Sequence, residues 1–252
     1  MLVLALAACG ASETKAPEPI SEEAMAAIAE NPGAARDQLA RRTDALFTNE
    51  GAIGETRALI VMHGGKIAAE RYGEGYNAET RFISWSMAKT MTAVMIGMLV
   101  ADGKLELDRT PPIPKWQRPG DPRGEITLRQ LLQMRSGLNH TEAGDPVYDS
   151  SEVRMLFLDG RDDMAQWAEE QSLEAAPGRK FEYSSATKVI LADIAARVLA
   201  PDGTAEERRN AVDEFLRARL FDPLEMTSMV PEYDASGTMI GGSLIHANAR
   251  DW

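Results

Sequence analysis

The stretch 82–102, FISWSMAKTMTAVMIGMLVAD, constrains this chain most. Its apolar residues Met91, Val94, Met95, Met98 and Leu99 recur at helical spacing, which predicts a helix with an apolar face. Ser86 falls in the first turn of that helix. Lys89 shares its face, because residues three apart are neighbours on a helix. A serine hydroxyl is a poor nucleophile until something takes its proton. An amine held in a low-polarity cleft can have its pKa lowered enough to act as that base. The first-turn N–H groups of a helix can stabilise an oxyanion. One short stretch can therefore supply nucleophile, base and part of an oxyanion site. The spacing alone is weak: Ser12 with Lys15 and Ser185 with Lys188 repeat it. On the spacing alone, Ser86 reads more readily as a helix cap and Lys89 as a solvated side chain. Ser185 also opens a helical pattern and is a rival nucleophile.

The chain begins MLVLALAAC, an apolar run ending in small residues and Cys9. Leu6-Ala7-Ala8-Cys9 looks like a lipobox, which implies cleavage before Cys9, lipid attachment to it and a lipid-anchored periplasmic protein. No basic residue precedes the run, which is also short for a signal peptide and far too short for a membrane span. Residues 10–19 read as a polar, Pro-containing tether. Cys9 is the only cysteine, so disulfides within the chain are excluded and a Cys-based metal site is disfavoured. A net charge of −12 argues against nucleic acid as a partner. The 252 residues suffice for one large or two small domains with a real core.

Along the chain, 21–47 has helical spacing with Ser21 as N-cap. Residues 58–63 and 66–72 read as strands joined at Gly64-Gly65, a β-hairpin. Asp102-Gly103 stops the 82–102 helix. Thr127 caps a short helix at 127–134, and 139–160, with Tyr148, is loop-rich. A helix at 162–171 carries Asp162, Asp163, Glu169 and Glu170 as a solvated face. Pro177-Gly178 breaks the pattern before a helix running from Ser185 through Leu199. Another helix follows at 206–220, then a Gly241-Gly242 turn. His63, His140 and His246 show no metal-ligand spacing. There is no Gly-x-Ser-x-Gly elbow and no phosphate loop, so no metal or cofactor is expected.

Five segments then fall in a telling order. They are the hairpin, the helix opening with Ser86-x-x-Lys89, the LLQMRSGL segment at 131–138, the PGRKFEYSS helix start at 177–185, and LFDPLEM at 220–226. Together they resemble the serine hydrolases related to class C β-lactamases, a group with penicillin-binding carboxypeptidases, β-lactamase-like esterases and nylon-oligomer hydrolases. The resemblance covers roughly residues 50–252. It implies an α+β, β-lactamase/transpeptidase-like fold: an antiparallel sheet flanked by helices and begun by the hairpin, a helical lobe at roughly 100–225, and the site between them. The domains expected are 1–9 as a partial signal peptide, 10–50 as tether and N-terminal helices, and 51–252 as the hydrolase domain.

The same resemblance assigns roles. Ser86 is the nucleophile. Tyr183-Ser184-Ser185 stands as the second motif, with Tyr183 sharing a proton with Lys89 and Ser86. Ser185 occupies a position where β-lactamases usually carry a substrate-contacting Asn, which leaves Lys188 on the helix surface. A hydroxyl reaches less far than an amide and offers one donor. The departure favours the esterase and amide-hydrolase branches over β-lactam hydrolysis. Trp85-Ser86-Met87-Ala88-Lys89 looks most like the nylon-oligomer hydrolase type, in which a loop aromatic such as Tyr148 faces the substrate. The implied reaction is acyl transfer from a small-molecule ester or amide through an acyl-enzyme. The alternatives are a penicillin-binding sensor that acylates without turnover, or a scaffold. The family's third motif, Lys- or His-x-Gly, finds no counterpart, since His246-Ala247-Asn248 lacks the glycine. The expectation is an incomplete domain without its C-terminal sheet strands, poorly soluble and almost inactive, with an open hairpin edge and an uncovered 82–102 helix.

Overall fold

A computed structural model describes residues 19–252. Cys9 and the lipobox lie outside the described residues. The chain forms two compact units, the first ending at Asn77 and the second spanning Ala78–Trp252.

In the first unit, α1 (Glu22–Ala26) begins at Ser21, whose hydroxyl accepts the Ala24 N–H at 3.1 Å. It is followed by α2 (Arg36–Thr48) and α3 (Glu50–Ile53). Strands β1 (Ala58–His63) and β2 (Lys66–Tyr72) pair antiparallel, Ala58 opposite Tyr72 and His63 opposite Lys66. Gly64 and Gly65 both have positive φ, 57° and 74°, as a tight two-residue hairpin turn of the type I′ class demands. A hairpin alone is marginal in water. Here the far edge of β2 is partnered: Ala29 N–H donates to Ala68 O (3.0 Å) and Glu70 N–H to Ala27 O (2.9 Å). Ala24, Ile28, Ala40 and Ala69 form a small core beneath it. The edge expected to be open is thus covered on that side by the chain leaving α1. The hairpin groups with the N-terminal helices in the first unit.

In the second unit, β3 (Phe82–Ile83) leads through a 3₁₀ turn, Trp85–Met87, into α4 (Ala88–Ala101). Then come α5 (Leu128–Leu132), α6 (Ser151–Phe157), α7 (Met164–Glu169), α8 (Ser185–Leu199) and α9 (Ala205–Leu216), and the strands β4 (Val230–Pro231) and β5 (Ile245–Ala247). Helix α8 is the centre. Every residue from 185 to 196 is buried, and α4, α5, α6, α7 and α9 all pack on it. A helix enclosed all round belongs to a core rather than a surface. This is why Lys188 is not the surface residue expected. It is 4% exposed, and burial, followed by the charge of Lys89, lowers its amine to about 8. Helix α4 buries one face, Ala88, Thr92, Met95, Ile96 and Leu99, and leaves Val94 exposed.

The strands β3, β5 and β4 form a second antiparallel sheet that the sequence does not announce, with Phe82 opposite Ala247 and Val230 opposite His246. Strands of two or three residues carry no readable alternation. Their effect is local and important. Ser84 N–H donates to Ile245 O (2.9 Å), and the Ser84 hydroxyl accepts the Ile245 N–H (3.2 Å). The chain two residues ahead of Ser86 is thereby pinned to β5.

The expected solvated face at 162–170 is partly buried. Asp163 caps α7 by accepting the Gln166 N–H. Glu169 is 1% exposed, beside Asp193 and Arg197. Burial first, and the charge of Asp193 second, push its carboxyl up to about 8. A raised carboxyl favours the protonated fold. Its contribution is complete below the unfolded carboxyl pKa of about 4.3 and is lost as pH rises toward 8. Glu169→Gln should therefore melt near the parent at pH 5 and above it at pH 9, read by calorimetry. An equal Tm difference at the two pH values would contradict this.

Candidate active site

Ser86 sits exposed in the 3₁₀ turn just before α4, between the half-exposed side chains of Trp85 and Met87. Trp85 has φ 44°, a left-handed conformation that a bulky residue rarely adopts, so the backbone is bent immediately ahead of the serine. Lys89, one turn on, is 6% exposed and lies beneath it. Its Nζ donates to three acceptors: Ser86 Oγ at 2.9 Å, Ser185 Oγ at 2.8 Å and the Gly242 carbonyl at 2.8 Å. An ammonium has three N–H donors, and all three are committed. Glu142 Oε1 lies 3.7 Å from the same nitrogen. The Tyr183 ring, 40% exposed, presents its face to the ammonium at 4.9 Å from the centroid.

Ser185 is fully buried. Its N–H donates to Glu142 Oε2 (2.7 Å), and its Oγ lies 2.6 Å from Glu142 Oε1 and 3.0 Å from Glu152 Oε1. Ser243 Oγ donates to Glu152 Oε1 (3.2 Å). Burial first, then the charge of Glu142, raise the Glu152 carboxyl above its ordinary range. The neighbouring Ser184 caps α8 through the Thr187 N–H and meets His140 Nδ1 at 3.1 Å. His140, 2% exposed, has its other nitrogen 3.1 Å from Ala168 O. Burial lowers it to about 4, so it is a neutral structural link.

The glycine pair 241–242 allows this closeness. A Cβ on Gly241 would stand 2.2 Å from Thr92 Oγ1, and one on Gly242 would stand 2.8 Å from Ser185 O. The turn therefore nests between α4 and α8 and delivers its carbonyl to Lys89. Thr92 Oγ1 holds it there by donating to Gly241 O at 2.8 Å.

The structure thus brings Ser86, Lys89, Tyr183 and Ser185 together, all within the second unit. The two serines differ in burial: Ser86 is exposed above the lysine and Ser185 is enclosed below it. Ser185 faces Lys89 and two carboxylates rather than an open surface where a substrate would meet it. Tyr148 is 58% exposed on the turn at 147–149 and stays outside this hydrogen-bond network. His246 Nε2 lies 2.5 Å from Glu232 Oε1. Glu142, Glu152, Ser243 and the Gly242 carbonyl are additions that sequence reasoning missed. The only signal for any of them was the Gly-Gly turn.

Known proteins resemble this chain in sequence and in fold. The chain is 25% identical over 211 residues to the 6-aminohexanoate-dimer hydrolase of Paenarthrobacter ureafaciens, covering 78% of this chain and 50% of that one. It spans about half the length of that curated relative. Among solved structures, a class C β-lactamase matches with TM-score 0.62 at 16% identity, over 88% of this chain and 64% of that one. A D-alanine carboxypeptidase from Burkholderia cenocepacia matches with TM-score 0.57 at 20% identity, over 86% and 61%. Both show a β-lactamase/transpeptidase-like fold, here built of helices and small antiparallel sheets. The family model described as Beta-lactamase matches residues 43–238, the larger part of the chain, and the protein is accordingly a member of the β-lactamase family.

Proposed function

We propose that this protein is a serine hydrolase that forms an acyl-enzyme on Ser86 and hydrolyses a carboxylic ester or amide bond in a small molecule. One observation carries the reading: a buried lysine Nζ 2.9 Å from the hydroxyl of an exposed serine at a helix start. Ser86 attacks the carbonyl carbon, and Lys89 takes the serine proton and passes it to the leaving group. The Ser86 N–H, at the start of the turn into α4, donates to the developing oxyanion. Tyr183, with its ring against the ammonium and its edge exposed, borders the substrate and shares in the proton traffic. Trp85 and Met87 give the entrance an apolar rim, and Tyr148 is a second candidate for substrate contact. The curated relative hydrolyses the dimer of 6-aminohexanoate by its name, which supports a linear amide as one substrate class.

A fluorophosphonate probe should label the protein at Ser86, and a p-nitrophenyl ester should turn over repeatedly. Both signals should vanish in Ser86→Ala. Labelling mapped to Ser185, or undiminished labelling in Ser86→Ala, would refute the assignment. A single stoichiometric burst without turnover would refute hydrolysis while leaving acylation.

A further inference from the structure

The chemistry above uses Ser86, Lys89 and Tyr183 and leaves two carboxyl groups without a task. Glu142 and Glu152 close on one atom, Ser185 Oγ, at 2.6 and 3.0 Å. A hydroxyl has one proton and two lone pairs. Lys89 occupies one lone pair at 2.8 Å. The single proton can satisfy only one carboxylate, so the second contact is satisfied when that group is a carboxylic acid donating into the remaining lone pair. Glu142 has the shorter contact, also accepts the Ser185 N–H, and faces Lys89 at 3.7 Å, so it is the ionised partner. Glu152, whose carboxyl is raised by burial and by Glu142, is the protonated one.

Lys89 poses a complementary problem. In its protonated form it donates all three N–H groups and has no lone pair for the Ser86 proton. One proton must leave first. The Gly242 carbonyl cannot hold it, and Ser86 is the group to be deprotonated. The remaining contact leads through Ser185 Oγ to Glu142.

We propose that Ser185 relays a proton from Lys89 to Glu142, and that Glu142 and Glu152 together store it while Ser86 is acylated. The proposal rests on Ser86 being the nucleophile. The Lys89 ammonium gives a proton to Ser185 Oγ as the Ser185 proton moves to Glu142 Oε1. The Lys89 amine then takes the Ser86 proton as Ser86 Oγ bonds to the carbonyl carbon. When the carbon–leaving-group bond breaks, Lys89 protonates the departing atom, and the stored proton returns through Ser185 to restore the ammonium and the Glu142 carboxylate. Ser185, Glu142 and Glu152 touch no substrate in this account; they are positioning residues acting through Lys89. The other titratable groups around them are Lys188 on α8, whose amine is lowered partly by Lys89, neutral His140, and Tyr183.

The test is the rate of Ser86 labelling by a fluorophosphonate as a function of pH. In the parent, labelling falls on the acid side as the carboxyl pair fills. Glu142→Gln removes the carboxylate that takes the proton, so the acid limb it sets should be lost. The plateau should also fall by about tenfold or more. Glu152→Gln keeps a neutral donor on Ser185 Oγ and leaves Glu142 ionised, so the acid limb should stay where it is in the parent. Ser185→Ala should lower the plateau, and adding Glu142→Gln to it should cost little more, because the route is already cut. A merely structural role would lower the plateau without moving the limb. An unchanged acid limb in folded Glu142→Gln, or an undiminished plateau in Ser185→Ala, with labelling still at Ser86, would overturn the relay while leaving the hydrolase reading intact. No labelling of the folded parent at Ser86 would overturn both.

Discussion

Lys89→Ala is expected to lower kcat for a p-nitrophenyl ester by about 10²–10⁴-fold, the usual range for loss of a positioned general base. The lysine is the only group that the structure places within hydrogen-bond distance of Ser86 Oγ among the described residues. The same substitution strips donors from Ser185 and the Gly242 carbonyl, so a change in melting must accompany the kinetic reading. Tyr183→Phe is the cleaner companion. The ring is half-exposed and packs by its face, and the ring remains when the hydroxyl is lost. If the phenol shares the proton with Lys89, its removal should also lower kcat strongly with little change in stability. The double variant should then lose far less than the product of the two single losses, as residues acting as one unit do. Near-parental kcat in Tyr183→Phe with normal melting would remove the tyrosine from the chemistry, and the same result in Lys89→Ala would remove the lysine.

The largest stability effect is expected far from Ser86, at Asp193→Ala. Asp193 is 1% exposed on α8 and accepts from Arg197 on the same helix, from Arg208 on α9 and from Thr238 Oγ1 in the turn before Gly241. It joins three segments through one carboxylate. Removing one partner from such a buried cluster leaves the others charged and desolvated, which costs about 3–5 kcal/mol. Denaturation in urea should show the midpoint falling with an unchanged slope, the mark of lost stability rather than a changed unfolded state. A change below about 1 kcal/mol, the scale of an exposed pair, would show that the arginines find other partners or water. The effect bears on the site because α8 begins with Ser185 and the Thr238 turn leads directly to Gly241-Gly242.

Much of this was legible in the chain because it rests on local rules. The hairpin was readable because two β-rich runs flank Gly64-Gly65, and only glycine takes positive φ there at little cost. Ser21 and Thr127 were readable as caps, and both accept the backbone N–H three residues on. The closeness of Ser86 and Lys89 was readable from helix geometry alone, and Tyr183 stands beside them as the motif order implies.

Other features failed for a common reason: they depend on what a residue meets, not on what precedes it. Lys188 and Glu169 read as solvated charges until α8 and its neighbours closed around them. The second sheet is too short to leave a period in the sequence. Glu142 and Glu152 are 10 residues apart in a stretch that looked like loop, and only their convergence on Ser185 makes them a pair. The sequence by itself determined the helix that carries Ser86 and Lys89, the hairpin and the family, because spacing, turn chemistry and motif order are properties of neighbouring residues. Only the tertiary structure decided which serine is exposed, that Lys89 has spent all three donors, and that two carboxyl groups stand behind it. Those facts are set by desolvation and by contacts between segments as many as 153 residues apart, as Lys89 is from Gly242.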